Sequence, residues 1–275
     1  MKRKRSTTEK LISKRNLEGR GQGRGEDYKP GLFIQDVPSQ GLATRVQGWK
    51  TNRVHHFLSK LELLYFYLLE WALNVLDVRE QFPLDLKETL AIAEHLGLRH
   101  PTDSHTRHPI VMTTDFLVTI RKPIGLEEKA RTIKYSQDLS SKRIMEKFEI
   151  ERLYWRARDI DWGIVTEREI NRVIAANVEW VHPYKHTIDL TPLTANLISR
   201  IEALMSPRVV QENVFLRNIT DDCDDQLGLP SGSSLMVVRH LIANRRWQID
   251  MSQPIQMSKR MVMIAMPKAI VPKVG

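Results

Sequence analysis

The sequence predicts an α/β protein in which a mixed sheet flanked by helices is followed by a mostly helical domain. Two observations support this fold class. Through the first part of the chain, β-type segments alternate with helical ones and some β segments are joined by hairpins, which is typical of mixed sheets. After residue 190, three helical segments precede a short hairpin, and together they describe a winged helix. A chain of 275 residues, 41% of them hydrophobic, can form both cores.

The pattern divides the chain into three regions. They are a basic N-terminal arm over residues 1–30, an α/β domain over 31–182 and a winged-helix-like domain over 183–275. In the arm, residues 6–18 predict a short basic helix, and five glycines and a proline then break the chain within residues 19–31. The glycines indicate either a flexible loop or backbone that lies close to DNA phosphates.

The α/β domain begins with a hairpin and a long apolar helix for which Ser59 is a candidate N-cap. The hairpin and this helix are predicted at residues 43–57 and 58–71. Strands, recognised by alternating or short apolar runs, are predicted at residues 74–84, 111–120, 130–136 and 161–166. Further helices are predicted at residues 86–98, with an end at Gly97, and at 141–160 and 167–181.

The C-terminal domain is predicted from three helices and a wing. The helices are expected at residues 191–205, 208–228 and 231–246, and the hairpin at 247–251 and 259–266. The third helix begins with capping serines and carries basic residues, as expected of a DNA-recognition helix. These residues are Arg239, His240, Arg245 and Arg246.

The charge points to a nucleic-acid partner. The chain carries 42 lysines and arginines against 33 acidic residues, and the excess lies at its ends, with +6 in residues 1–30 and +3 in residues 181–275. Such a balance attracts polyanions, most simply double-stranded DNA. The candidate phosphate contacts are the basic residues of the arm and of the hairpin after it: Arg15, Arg20, Arg24, Lys50, Arg53 and His55.

The same composition excludes several other classes of protein. The single cysteine, Cys223, rules out an internal disulfide and fits a cytoplasmic protein. The basic start is not followed by the apolar run of a signal peptide. The most apolar helix carries Glu62 and Glu70, so it is expected in a protein core and not in a membrane.

Asp115 and Lys134 form the first candidate pair. Asp115 lies in the apolar strand "TTDFLV", and Lys134 lies in "RTIKYS" on the next strand. Adjacent antiparallel strands can place the two side by side. A turn aspartate and a simple salt bridge are the alternatives, so the pair indicates a site only if more acids converge on it.

Glu62 is the strongest additional acid. Leu58, Glu62, Tyr65 and Leu69 share one face of the predicted helix, which turns Glu62 toward the apolar side. An unpaired carboxylate there is strongly unfavourable, so Glu62 requires a metal ion or, alternatively, a buried ion pair with lysine or arginine. Glu151 lies at the edge of a similar apolar stripe on its own helix and is a weaker candidate.

These residues predict a magnesium site. Three oxygen ligands are available, from Asp115, Glu62 and the backbone carbonyl of Ile133. Mg²⁺ prefers oxygen ligands, and Mn²⁺ can take its place. Lys134 is expected to be buried and to stay charged beside the carboxylates. It would orient the attacking water or stabilise negative charge on the phosphate.

Five stretches occur in one order along residues 10–180. They are "EGRGQGRGEDY", "RVHHFLSKLELLYFYLLEW", "VLDVREQFPL", "MTTDFLV" and "EKFEIERLYW". Together they resemble the PD-(D/E)xK nucleases and, more closely, the TnsA family of transposase endonuclease subunits. In this resemblance Glu62, Asp115 and Lys134 fall on the family's catalytic glutamate, aspartate and lysine.

The resemblance departs from the family pattern at two positions. Thr132 stands where the family typically has glutamine, and Tyr135 stands where proline is frequent. Neither change removes a charge that the chemistry needs. Thr132 and Glu151 are therefore expected to support the site without binding the metal.

The resemblance also implies a fold, an activity and partners. The fold of residues 31–182 would be restriction-endonuclease-like, and the activity would be Mg²⁺-dependent cutting of the non-transferred strand at the 5′ ends of a transposon. The implied partners are the transposon-end DNA, a TnsB-like DDE transposase and a TnsC-like ATPase regulator. The residues alone leave two alternatives, a stand-alone restriction-type endonuclease and a non-catalytic DNA-binding adaptor on a nuclease fold.

Overall fold

The computed structural model of the protein describes residues 6–37, 44–211 and 213–265. Contacts divide the chain into two compact units, Met1–Ile170 and Asn171–Gly275. The division lies earlier than the predicted boundary between residues 182 and 183. The helix Arg172–Val181 belongs to the second unit because it packs on a later helix of that unit.

The first unit contains the predicted mixed sheet. Its four strands are β3 (Val75–Pro83), β4 (Thr113–Arg121), β5 (Leu126–Ile133) and β6 (Asp161–Val165), in the spatial order β3-β4-β5-β6. The first three strands run antiparallel, and β6 runs parallel to β5. A separate hairpin, β1 (Thr44–Gln47) and β2 (Val54–Phe57), precedes the sheet. This arrangement fits a nuclease-like fold.

Four helices accompany the sheet: α1 (Glu9–Leu17), α2 (Lys60–Trp71), α3 (Leu86–His95) and α4 (Lys142–Arg156). Ser59 caps α2 as predicted, because its hydroxyl accepts from the backbone N–H of Glu62 at 3.1 Å. The predicted stop at Gly97 is also confirmed, with a left-handed φ of 63° after α3. Buried residues of α3, α4 and the sheet form one core that includes Leu84, Ala93, Leu117, Ala130, Ile150 and Trp155.

The glycine-rich segment packs against the protein itself. A Cβ on Gly21 would lie 2.4 Å from Cγ of Pro83, and one on Gly23 would lie 2.4 Å from the carbonyl oxygen of Asp27. Tyr28 is buried and donates its hydroxyl proton to the backbone carbonyl of Glu80 at 3.1 Å. The close approach that glycine permits is therefore to β3 and to the segment's own backbone. This packing differs from the flexible loop of the first interpretation, and contact between this backbone and DNA phosphates stays a prediction. The first five residues of the predicted arm lie outside the described residues.

The second unit contains α5 (Arg172–Val181), α6 (Ala195–Gln211), α7 (Leu216–Leu227) and α8 (Ser233–Ala243). A two-stranded sheet of β7 (Gln248–Ile249) and β8 (Met263–Ala265) follows. The predicted break near Pro207 is wrong, because α6 continues through this proline. Met205 and Val209 are buried on either side of it, so packing outweighs the lost backbone hydrogen bond. Across the described ranges, no helix is both long and apolar enough to cross a bilayer.

Candidate active site

A cavity of about 540 Å³ lies where the start of α2, the start of β4, the end of β5 and one face of α4 meet. All three residues predicted to be catalytic, Glu62, Asp115 and Lys134, line this cavity, together with Glu151. Sequence separation between the first and last of these residues is large, so only the tertiary fold brings them together. The Asp115–Lys134 pair is therefore joined by further acids, which was the condition for interpreting it as a site.

Glu62 and Asp115 are joined through the side chain of Gln81. The Gln81 Nε2 donates to Asp115 Oδ1 at 3.2 Å and makes a longer contact of 3.4 Å with Glu62 Oε2. The same Glu62 oxygen accepts from the backbone N–H of Leu58 at 2.9 Å, and Asp115 Oδ2 accepts from the backbone N–H of Ile133 at 2.7 Å. Both carboxylates are thus held by neutral donors.

The electrostatics of this pair are unfavourable without a cation. Burial raises the pKa of Glu62, and the negative charge of Asp115 raises it further. Burial also raises the pKa of Asp115, although the Ile133 N–H, the Gln81 amide and the charge of Lys134 act against this rise. In the part of the chain that the structure describes, neither carboxylate forms an ion pair with a lysine or arginine. The alternative of a buried ion pair for Glu62 is therefore not observed.

Lys134 lies at the cavity mouth and not in its interior. Its side chain is 37% exposed, and its ammonium contacts Asp138 Oδ2 at 3.5 Å. The expectation of a buried lysine is therefore wrong, because the chain leaves the sheet directly after Ile133 and turns toward solvent. The backbone N–H of Lys134 nevertheless donates to the carbonyl of Val165 at 3.0 Å, which fixes its position beside β6.

Glu151 is buried beneath the cavity in a network of hydroxyls. Thr114 and Thr132 both donate to Glu151 Oε1, Thr114 at 2.6 Å. Each hydroxyl in turn accepts an indole N–H, Thr114 from Trp155 at 2.7 Å and Thr132 from Trp162 at 3.2 Å. Burial raises the pKa of Glu151 to about 7, despite these donors. Thr132, at the position of the expected glutamine, therefore anchors Glu151 to β5.

Comparison with known proteins identifies the family. A family model described as "TnsA-like endonuclease N terminal" matches residues 73–167, and one described as "TnsA endonuclease C terminal" matches residues 169–251. The chain belongs to the TnsA endonuclease family. It is 40% identical over 239 residues to the transposon Tn7 transposition protein TnsA of Escherichia coli, across 87% of this chain and 85% of that protein.

TnsA membership confirms the resemblance and the endonuclease activity that it implied. The N-terminal family match includes Asp115, Lys134 and Glu151 but begins after Glu62. The assignment of Glu62 therefore depends on its place in the cavity beside Asp115. The two matches also meet close to the boundary between the two compact units.

The sequence did not reveal two residues at the site of this TnsA-family chain: Gln81, which contacts the two carboxylates, and Lys147, which lines the cavity. Gln81 gave no signal, because a glutamine within the strand "VREQFPL" does not reveal that its amide lies between two carboxylates. Lys147 faces the cavity from α4, where its helical spacing of four residues before Glu151 could have revealed it. Burial lowers the pKa of Lys147, and the positive charges of Arg143 and Lys134 lower it further.

The candidate phosphate contacts of the hairpin have internal partners. Arg53 is buried and binds Glu80 and the backbone carbonyl of Val78, while His55 is fully buried against Glu80. The Lys50 ammonium donates to two backbone carbonyls after α2, each at 2.8 Å. Internal partners thus account for these three charges, and contact between these residues and DNA stays a prediction.

Two of the three candidate arginines of the arm also have internal partners that bury them, and the third is exposed. Arg15 and Arg20 are both mostly buried and pair with Asp36, and Arg20 also lies 4.2 Å above the centre of the Phe33 ring. Internal partners account for both charges, and contact of these two arginines with DNA stays a prediction. Arg24 is 61% exposed and pairs with Glu128 at 2.8 Å, so it stays a candidate for phosphate contact.

Proposed function

We propose that this TnsA-family endonuclease hydrolyses DNA with Mg²⁺ held by Glu62 and Asp115, and that it cuts the non-transferred strand at the 5′ ends of a transposon. The observation that carries this proposal is the pair of carboxylates, Glu62 buried and Asp115 half-buried, linked by one amide in a cavity that Lys134 also lines. A divalent cation would compensate the negative charge of such a pair.

The donor set fits Mg²⁺, or Mn²⁺ in its place. Both ions prefer oxygen ligands and keep several waters. Ile133 is a suitable source of a third oxygen, because its N–H already points toward Asp115 and the N–H and C=O of a strand residue face the same side. Among the described residues, no group of three or more His, Cys, Asp or Glu side chains is arranged to hold a metal. Water and a DNA phosphate would complete the shell.

The roles of the surrounding residues follow from their positions. When bound, the cation supplies a Lewis acid for the scissile phosphate and lowers the pKa of a bound water. Lys134, at the mouth, is placed to orient that water and to stabilise the charge that develops on the phosphate. Lys147 adds a second positive charge to the cavity lining, which would attract an incoming strand. Glu151 holds Thr114 and Thr132, and thereby the start of β4 and the end of β5, in register.

The biological setting is proposed from the family. The Escherichia coli relative is named as a transposon Tn7 transposition protein. By analogy, this chain would act on transposon-end DNA beside a TnsB-like DDE transposase, which cuts and joins the other strand, and a TnsC-like ATPase regulator.

The C-terminal unit is proposed to have a winged-helix architecture, since the last three of its four helices precede a two-stranded sheet. The basic residues on and directly after the last of these helices, α8, have partners within the protein. Arg239 lies 4.4 Å above the Trp180 ring, His240 is buried, and Arg246 pairs with Glu202.

A plasmid-nicking assay tests the proposal. Supercoiled plasmid bearing transposon ends is incubated with the full chain and Mg²⁺, Mn²⁺ or EDTA, with and without the partner transposase. Cutting at the 5′ ends that needs both the divalent ion and the partner supports it. Cutting without the partner would favour a restriction-type enzyme, and no cutting under any condition would favour a non-catalytic adaptor.

A further inference from the structure

We propose that Gln81 is a positioning residue that holds the Glu62 and Asp115 carboxylates ready for the cation and so sets the cation affinity of the site. This inference rests on the proposed function, because it assumes that the two carboxylates bind a divalent ion. No part of the sequence pattern or of the family comparison assigns Gln81 a role.

The backbone of Gln81 is held in an unusual conformation. Its φ is 48°, in the left-handed region that residues other than glycine rarely adopt, although it lies inside β3. The pairs Glu80–Phe116 and Phe82–Thr114 flank it, so it lies across from Asp115. Its carbonyl accepts from the backbone N–H of Gly31 at 2.9 Å. Conformations of this kind are disfavoured and persist where the surroundings enforce them, commonly at functional sites.

The orientation of the Gln81 amide is determined by its neighbours. The Thr113 hydroxyl donates to Gln81 Oε1 at 3.0 Å, which turns Nε2 toward the carboxylates. The opposite orientation would place the amide oxygen against both carboxylates and lose every donor that they receive from Gln81. The side chain is only 2% exposed, so water does not substitute for it.

A neutral donor is chemically suited to this place. A lysine or arginine between the carboxylates would neutralise them and compete with a divalent cation. An amide instead satisfies one oxygen of each acid and leaves the negative charge of the pair intact. Residues that orient metal ligands in this way typically contribute about 10–100-fold to metal affinity.

The test measures Mn²⁺ binding to the full-length protein by isothermal titration calorimetry, so that no partner or cleavage is needed. Gln81→Met keeps the length of the side chain but removes both donors, and we expect Mn²⁺ to bind about tenfold more weakly. Gln81→Glu keeps the shape and adds a carboxylate, and we expect binding at least as tight as in the wild type. Gln137→Met, an exposed glutamine outside the cavity, is the matched control and should bind like the wild type.

Thermal unfolding gives a second readout. The rise in unfolding temperature on replacing EDTA with Mn²⁺ should be smaller for Gln81→Met and larger for Gln81→Glu than for the wild type. A role in packing alone predicts lower stability in both variants with Mn²⁺ affinity unchanged, and that result would overturn the inference. Wild-type protein that binds no Mn²⁺ would instead overturn the metal-dependent function on which the inference rests, so the two failures are distinguishable.

Discussion

Arg53 and Glu80 form a buried ion pair that joins the β1–β2 hairpin to the sheet. The Arg53 guanidinium contacts both carboxylate oxygens, one of them at 2.8 Å, and His55 Nδ1 lies 2.8 Å from Glu80 Oε2. Although burial acts to raise it, His55 and Arg53 hold the pKa of Glu80 well below its usual range. Because the hairpin leads directly into α2, this pair also fixes where Glu62 enters the cavity.

Breaking this pair should destabilise the fold. Arg53→Met leaves the Glu80 charge uncompensated in the interior, and we expect a loss of about 3–5 kcal/mol in the free energy of unfolding, measured by urea denaturation. The control is Arg24→Met, which removes an exposed ion pair and should change stability by less than about 1 kcal/mol. Equal effects of the two substitutions would show that Arg53 does not stabilise the fold and would restore it as a candidate DNA contact.

Glu151 should make stability depend on pH. Its pKa is raised to about 7 in the folded protein, so the folded state binds this proton more tightly than the unfolded state does. The stability that results is fully present below the pKa of Glu151 in the unfolded chain and is lost as the pH rises through about 7. The advantage of Glu151→Gln over the wild type should therefore increase by about 2 kcal/mol between pH 5 and pH 8. Urea denaturation in EDTA at both pH values measures it. A difference that is constant with pH would contradict the raised pKa.

Asp115→Ala should abolish cutting while leaving the fold intact. Loss of a metal ligand removes several kcal/mol of transition-state stabilisation, which corresponds to at least about a hundredfold in rate. The unfolding temperature in EDTA should not fall, because the substitution removes a like charge beside Glu62. Cleavage is measured with the partner transposase present. A rate within about tenfold of the wild type would mean that the site is misassigned.

The sequence predicted which acids and which lysine share the cavity but not the residues that hold them there. Glu62 was predictable because the helical period places it on the apolar face of its helix. Asp115 and Lys134 were predictable because a local hairpin makes their strands neighbours. Arg53, His55 and Arg20 bind acidic residues of distant segments, which the sequence pattern does not reveal. Their positive charge alone therefore led to the prediction that they contact DNA. Gln81 depends on a backbone angle that no residue pattern encodes.

Lys147 should contribute to DNA binding at the cavity. In the described part of the chain it has no acidic partner, so Lys147→Met removes a charge available to phosphate. One charge-assisted contact of about 1.5–3 kcal/mol corresponds to about tenfold or more in affinity. We therefore expect about a tenfold loss of cleavage at sub-saturating DNA. Lys142→Met removes the same charge from an exposed position on α4 and should change cleavage less than about twofold. Equal losses would indicate only a general effect of charge.

Lys134→Ala should separate cation binding from cutting. Lys134 contacts Asp138 and not the carboxylates, so its removal breaks only a surface ion pair and should leave the fold and Mn²⁺ affinity unchanged. Loss of the ammonium at the cavity mouth removes stabilisation of the developing charge, and non-transferred-strand cutting should fall by about 10²–10³-fold. In a complete transposition mixture the partner would still cut and join the other strand, so products would stay linked to donor DNA, which a gel of product topology detects. Asp138→Ala keeps the lysine and removes its ion-pair partner, and it should excise cleanly. Clean excision by Lys134→Ala as well would remove Lys134 from the chemistry and leave it as the residue that follows β5.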